Sequence, residues 1–321
     1  MRTIRTAVVG AALVALIAGA CGPGAGSPNP STTAATLAST LVMGGPPECP
    51  QRPFCLLGLR ETYGLEFREF KPLDSGGPIT VEALANGEID VALLFTSDPS
   101  IEERDFVLLE DDRLLQRADN LVPVITSQTV DDHPEVAELL NGVSALLAQE
   151  ELIELNRQVR VDHQDPADVA AAWLQEMGLL DDAEETIGAG ASTITVGKTN
   201  FDEQDILSEL YAQILEANGF TAARQEASGT REVVFPALQS GQINLLPEYA
   251  ATALEYVNGG AGEATADAQE TTGLLRERLE PMGLTALDPA PAADQNAIVV
   301  TRALSEQHGL QKISDLAKPA P

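Results

Sequence analysis

Two stretches of this chain follow one pattern, "ALANGEIDVALLF" at 83–95 and "PALQSGQINLLPEY" at 236–249. Ala83, Leu84, Gly87, Ile89 and Val91 recur as Ala237, Leu238, Gly241, Ile243 and Leu245, each 154 residues further on by subtraction. Each copy describes a helix end, a glycine turn and a buried strand. A Ser-Gly pair, Ser75-Gly76 and Ser228-Gly229, precedes each copy and suits the start of its helix. Such a pair predicts two similar α/β lobes facing each other, with strand ends and helix amino termini lining a cleft. The alternative is chance likeness between two ordinary α/β units.

A third segment, "TITVGKTNFDEQDILSELYAQ" at 193–213, reads as a strand followed by a helix. Residues 193–197 supply a short strand, β-branched from Thr193 to Val196, Asn200 is placed to cap with Glu203 three residues on, and Ile206, Leu207, Leu210, Ile214 and Leu215 form one apolar face up to Asn218-Gly219. The loop 197–200 then joins a strand's carboxyl end to a helix's amino end, where open α/β folds contact ligands. Between the repeats the chain is helical, and Asp165-Pro166 opens a helix that ends near Gly178. The acidic, small-residue stretch at 181–192 reads as a joint.

The amino terminus carries Arg2 and Arg5, an apolar run from Ala7 to Ile17, and Ala-Gly-Ala before Cys21. The run is too short to span a bilayer and reads as a signal peptide over 1–21. It resembles a bacterial lipobox, which implies lipidation of Cys21; a plain secretory signal is the alternative. Residues 22–35 are rich in Gly, Pro, Ser and Thr and read as a flexible tether. The other two cysteines, Cys49 and Cys55, are expected to close a small disulfide loop around Arg52. With 19 basic against 49 acidic residues the net charge is -30, which repels nucleic acid and anionic lipid. No nucleophile elbow or phosphate loop is present, His133, His163 and His308 lie in stretches that read as surface loops or helix ends, and neither an enzymatic role nor a cofactor or metal is expected.

Three segments, "ITVGKTNFDEQDILSELYAQILEANGF", "FPALQSGQINLLPEYAATALEYV" and "LDPAPAADQNAIVVTRALSEQHGLQKISDLA", resemble the opening portion of the substrate-binding proteins of osmoprotectant ABC importers, the glycine betaine, choline and carnitine type. "TLVMGGPPECPQRPFCLLGLRETYGLEFREFKPLD", "ALANGEIDVALLFTSDPSI" and "FVLLEDDRLLQRADNLVPVI" resemble the closing portion. The resemblance covers nearly everything from 40 to 318, with the two halves in exchanged order; a gene fragment or misassembled tandem gene is the alternative to a permuted protein. It implies an α/β, two-lobed periplasmic-binding-protein-like (type II) fold with a ligand cleft between lobes, circularly permuted. One lobe is expected from 36–101 plus 295–321, the other from 102–294 including the joint, with both chain ends meeting in the first.

Members of that family hold a quaternary ammonium among tyrosines, and this sequence departs from them. Leu246, Asn296 and Asp119 stand at commonly aromatic positions, while Phe95 and Tyr249 survive; 4 tyrosines and 1 tryptophan make a full cage hard to assemble. Lys198-Thr199 replaces a Ser-Lys pair, which shifts the lysine by one position. The implied ligand-binding residues are Arg52, Phe95, Thr96, Asp119, Thr199, Asn200, Tyr249, Asp294 and Asn296. Arg52 is either a carboxylate ligand or a surface arginine, Thr199 and Asn200 either donors or helix caps, Asp119 and Asp294 either counter-charges or loop carboxylates, and Tyr249 either a cleft ring or core. The implied function is an extracytoplasmic, membrane-anchored lipoprotein, monomeric, that captures a small osmoprotectant-like solute and delivers it to an ABC permease. A sensor or scavenger of another small polar solute is the alternative.

Overall fold

The computed structural model describes residues 35–181, 183–225 and 229–320. The signal peptide with Cys21, the tether up to 34, and Ser228 lie outside the described residues.

Ten strands are laid down in chain order: β1 (Val42–Gly45), β2 (Glu69–Pro72), β3 (Val91–Phe95), β4 (Phe106–Leu108), β5 (Leu121–Thr126), β6 (Ile194–Val196), β7 (Ala222–Arg224), β8 (Leu245–Tyr249), β9 (Leu284–Ala286) and β10 (Asn296–Thr301). They form two five-stranded sheets, ordered β2-β1-β3-β10-β4 and β7-β6-β8-β5-β9. Advancing every strand of the first sheet by five places, counted cyclically, gives the second. In each sheet three parallel strands are followed by an antiparallel strand delivered from the other half, β10 against β3 and β5 against β8. Parallel neighbours need crossover connections. Helices Leu56–Tyr63 and Pro78–Ala85 supply them in the first sheet, Glu203–Ala217 and Arg231–Gln239 in the second.

The two repeated segments fold alike. Helices Pro78–Ala85 and Arg231–Gln239 are followed by Gly87 and Gly241, at φ 69° and 74°, where a side chain would be strained. Ile89 and Ile243 are then buried ahead of β3 and β8. Alternation along the strands feeds two cores per sheet: Val91 and Leu93 face one side of β3, Ala92 and Leu94 the other. Leu245 and Leu246 likewise enter opposite cores. Asp165 caps the helix Pro166–Glu176 by accepting from the Ala167 amide at 2.9 Å. The helix after the third segment begins later than its sequence suggests, at Glu203, without a side-chain cap, and Asn200 stays in the loop before it.

The lobe boundary also lies beyond the expected 101/102. β4 is still in the first sheet, pairing Thr301 with Phe106, and Phe106 and Leu109 bury in first-lobe cores. The chain crosses near 116–120 and returns near 292–296 with the two segments side by side: the Asp294 amide donates to Asp119 O at 3.0 Å and Asn120 bridges to Ala293. Both ends of the described chain lie in the first lobe, where Leu37 N donates to Lys318 O at 2.7 Å and Ala320 N to Ala35 O at 2.8 Å. Among the described residues no helix is long and apolar enough to cross a membrane.

Residues 184–188 are pressed onto the end of the helix Glu203–Ala217. Gly188 N donates to Asn218 O at 2.9 Å and Glu184 N to Asn218 Oδ1 at 3.1 Å. Gly219 sits at φ 82°, and a Cβ there would stand 1.9 Å from Glu185 O. Gly219→Ala is therefore expected to destabilise the fold by roughly 3 kcal/mol in urea unfolding; a loss below about 0.5 kcal/mol would show that this packing contributes little.

Candidate functional site

A cleft of about 390 Å³ opens between the carboxyl ends of the two sheets. β3 delivers Phe95, and the loop after β6 delivers Thr199, Asn200 and Phe201. β8 ends on Tyr249, and the Arg231–Gln239 helix opens with Arg231 in the wall. The crossing segments contribute Gln116, Arg117 and Asp119 on one side and Asp294, Gln295 and Asn296 on the other. A loop closed by the Cys49–Cys55 disulfide, with Cα atoms 5.2 Å apart, brings Arg52, Pro53 and Phe54 to the rim.

Aromatic rings line this space in sequence. Phe95 of the first lobe meets Phe201 of the second edge to face at 5.3 Å, and Phe201 meets Tyr249 at 6.1 Å. Tyr249 is 7% exposed, with its ring on the cleft and its hydroxyl donating inward to Glu203 at 2.9 Å. Glu203 opens its helix, where the dipole favours an anion, and also accepts from Asn156 Nδ2 at 2.6 Å. Asn156 donates in addition to Ser97 O at 3.2 Å, and the Ser97 hydroxyl donates to Asp294 at 2.6 Å. One polar network thus runs from the end of β3 through the second lobe's helices to the start of β10.

The carboxylates here are held away from their ordinary state. Burial, then repulsion from Glu203, pushes the Asp294 pKa well up. Burial also raises Glu203 against the pull of Asn156, Ser97 and Tyr249. Burial pushes Asp119 up to about 6, opposed by the Thr252 hydroxyl and amide that it accepts from. Burial works against the charge of Arg231, yet Glu248, at 3.0 and 2.8 Å and fully buried, holds the guanidinium pKa above its ordinary value. Among the described residues no cluster of His, Cys, Asp or Glu is arranged to hold a metal ion.

The family model described as the substrate-binding domain of ABC-type glycine betaine transport systems matches residues 31–176 and 192–321. The chain belongs to this family. The glycine-betaine-binding protein of Pseudomonas aeruginosa is 31% identical over 156 residues, 48% of this chain and 49% of that one. The carnitine transport binding protein OpuCC of Listeria monocytogenes is 28% identical over 116 residues, 36% of this chain and 37% of its own. This chain thus spans half or less of the length of these curated relatives. A solved structure of apo YehZ from Escherichia coli covers 88% of this chain and 86% of its own, at 13% identity and a TM-score of 0.40.

In this glycine-betaine-type binding domain, eight of the residues singled out from the sequence line one cleft: Arg52, Phe95, Asp119, Thr199, Asn200, Tyr249, Asp294 and Asn296. Thr96 is not among them; its hydroxyl donates to Ala293 O at 3.1 Å and accepts from Gln295 N at 2.9 Å, which ties β3 to the returning strand. Lys198 turns to Asp205 at 2.5 Å. Leu246 lies in the core behind β8, so no ring at that position is missing from the wall. Sequence reading overlooked Phe201, Phe54, Arg231 and Glu203. Phe201 adjoins the Thr199-Asn200 loop and Phe54 sits between the cysteines, but a count of tyrosine and tryptophan passes over both.

Asp119 binds its proton more tightly folded than unfolded, so its contribution to stability is complete below about pH 4 and is lost as pH rises through about 6. Asn in its place resembles the protonated form. The melting temperature of Asp119→Asn relative to the parent should therefore climb between about pH 4 and 6, whereas a pH-independent difference would show that Asp119 titrates normally.

Proposed function

We propose that the protein is the extracytoplasmic solute-binding component of an ABC importer, which closes its two lobes around a small polar solute of the glycine betaine, choline and carnitine class and hands it to a membrane permease. The observation that carries this reading is the cleft itself: Phe54, Phe95, Phe201 and Tyr249 surround it, buried carboxylates adjoin it, and two paired crossing segments join its walls. Ring faces and carboxylates attract a cationic head group. Paired crossings suit hinge closure. Anchoring through Cys21 and a monomeric state belong to the same reading.

We further propose that the halves stand in exchanged order relative to the family. The two-block family match, the hydrogen-bonded ends and relatives aligned over half their length or less all support this. A chain reopened within 181–192 and closed by linking Ala320 to Ala35 is expected to melt within a few degrees of the parent; failure to fold would argue against the exchange.

Thermal unfolding of residues 22–321 with glycine betaine, choline or carnitine tests the ligand class. At a hundred times its dissociation constant a true ligand adds about 2.7 kcal/mol, read as a rise of several degrees. Phe201→Ala, which removes the ring between Phe95 and Tyr249, should weaken binding about tenfold. A cooperative transition that none of the three solutes moves would remove this ligand class.

A further inference from the structure

Asp294 lines the cleft and is 7% exposed, yet its hydrogen bonding is incomplete. Its Oδ1 accepts from the Ser97 hydroxyl at 2.6 Å and the Ser97 amide at 3.4 Å, and among the described residues nothing donates to Oδ2. The neighbouring acids differ. Asp119 has both oxygens on Thr252, and Glu203 has one on Tyr249 and one on Asn156. Nor does a protein cation serve Asp294: among the described residues Arg231 is engaged by Glu248, and Arg160 lies 3.6 Å from Asp98.

Oδ2 is not shut away from the cleft, so a ligand that fills the space strips it of water, which is costly unless the ligand donates to it. The rings beside it attract any cationic nitrogen and favour a methylated one, whose charge is the more weakly hydrated. Asp294 discriminates in the opposite sense. A quaternary ammonium surrounds its charge with C–H groups and leaves Oδ2 without a partner, whereas a protonated amine donates to it. Burial and Glu203 make bare charge on Asp294 unfavourable in the empty cleft, which an arriving cation relieves.

We propose that the cleft selects a cationic nitrogen that still carries at least one N–H, donated to Asp294 Oδ2 while the nitrogen's substituents pack against Phe95, Phe201 and Tyr249. This rests on the solute-binding reading above and narrows it, since the fully methylated members of that class become the weaker ligands. Phe95 stands opposite Asn296 in the sheet, two residues beyond Asp294, and the Asp294 charge bears directly on the Tyr249 hydroxyl, so acceptor and rings address one place.

Isothermal titration of residues 22–321 at pH 7 with two pairs of probes decides it: N,N-dimethylglycine against glycine betaine, and protonated N,N-dimethylethanolamine against choline. Each pair differs by the last N-methyl group alone. The dimethyl member should bind about tenfold or more tightly in both pairs, and Asp294→Asn, which places an amide where the acceptor was, should erase that ratio. Equal or tighter binding of the trimethyl members would overturn the proposal and leave the solute-binding reading intact. Binding of none of the four by a cooperatively melting protein would overturn both. Should Asp294→Asn not fold, the ratio measured on the parent decides alone.

Discussion

The pairing of two chain segments at the lobe junction, 116–120 running out and 292–296 running back, is the constraint on which the cleft depends. The Asp294 amide bonds to Asp119, Asn120 bridges to Ala293, and Thr96 N is tied to Gln295 O at 2.9 Å, so the ends of β3, β5, β8 and β10 meet in fixed order. The same segments carry Asp119, Asp294 and Asn296 into the wall. Among the described residues no apolar core spans the junction: each of the four clusters of buried side chains belongs to one sheet and its covering helices. Across the junction the Phe95 and Phe201 rings meet, and hydrogen bonds join Asp294 to Ser97, Asn156 to Ser97 and Gln149 to Thr96. A junction without a shared apolar core suits a closing cleft, because such a core would hold the lobes in one arrangement.

Much of the fold was legible because each level of the sequence agreed with the next. A glycine with positive φ, a helix before it and a buried strand after it recur at the same spacing in both lobes, and each copy had only one sensible reading. The misplaced boundary has a simple cause. β4 is three residues long and lies at a sheet edge, so its pattern was too short to register, and only its partner β10, nearly 190 residues later, marks it as first-lobe structure.

The site was less legible, for reasons that also have physical names. Residue type and family position selected eight residues that line the cleft, but neither tells which way a side chain turns. Thr96, one residue beyond Phe95, faces the opposite way, as strand alternation requires, and its hydroxyl bonds to backbone. Leu246 fell to the same alternation, since a strand buried on both faces gives no periodic signal to say which residues face the cleft. The coupling among Glu203, Tyr249, Ser97 and Asp294 is wholly tertiary, drawn from residues up to 197 positions apart.

The cyclic relation between the sheets bears on how a chain of this topology would tolerate an exchanged order. If advancing five strands converts one lobe's topology into the other's, cutting the chain between halves and rejoining the old ends yields the same ten-strand scheme with its lobes renamed. No strand must change neighbours and no crossover must change hand. What would remain is local: the ends must lie together, as 35–37 and 318–320 do, and a link must run between the halves, where Gly188 and Glu185 pack against Asn218 and Gly219. In a fold made of two equivalent halves such an exchange would fall on two segments, neither of which lines the cleft, so the recognition chemistry could diverge independently of the order in which the halves are written.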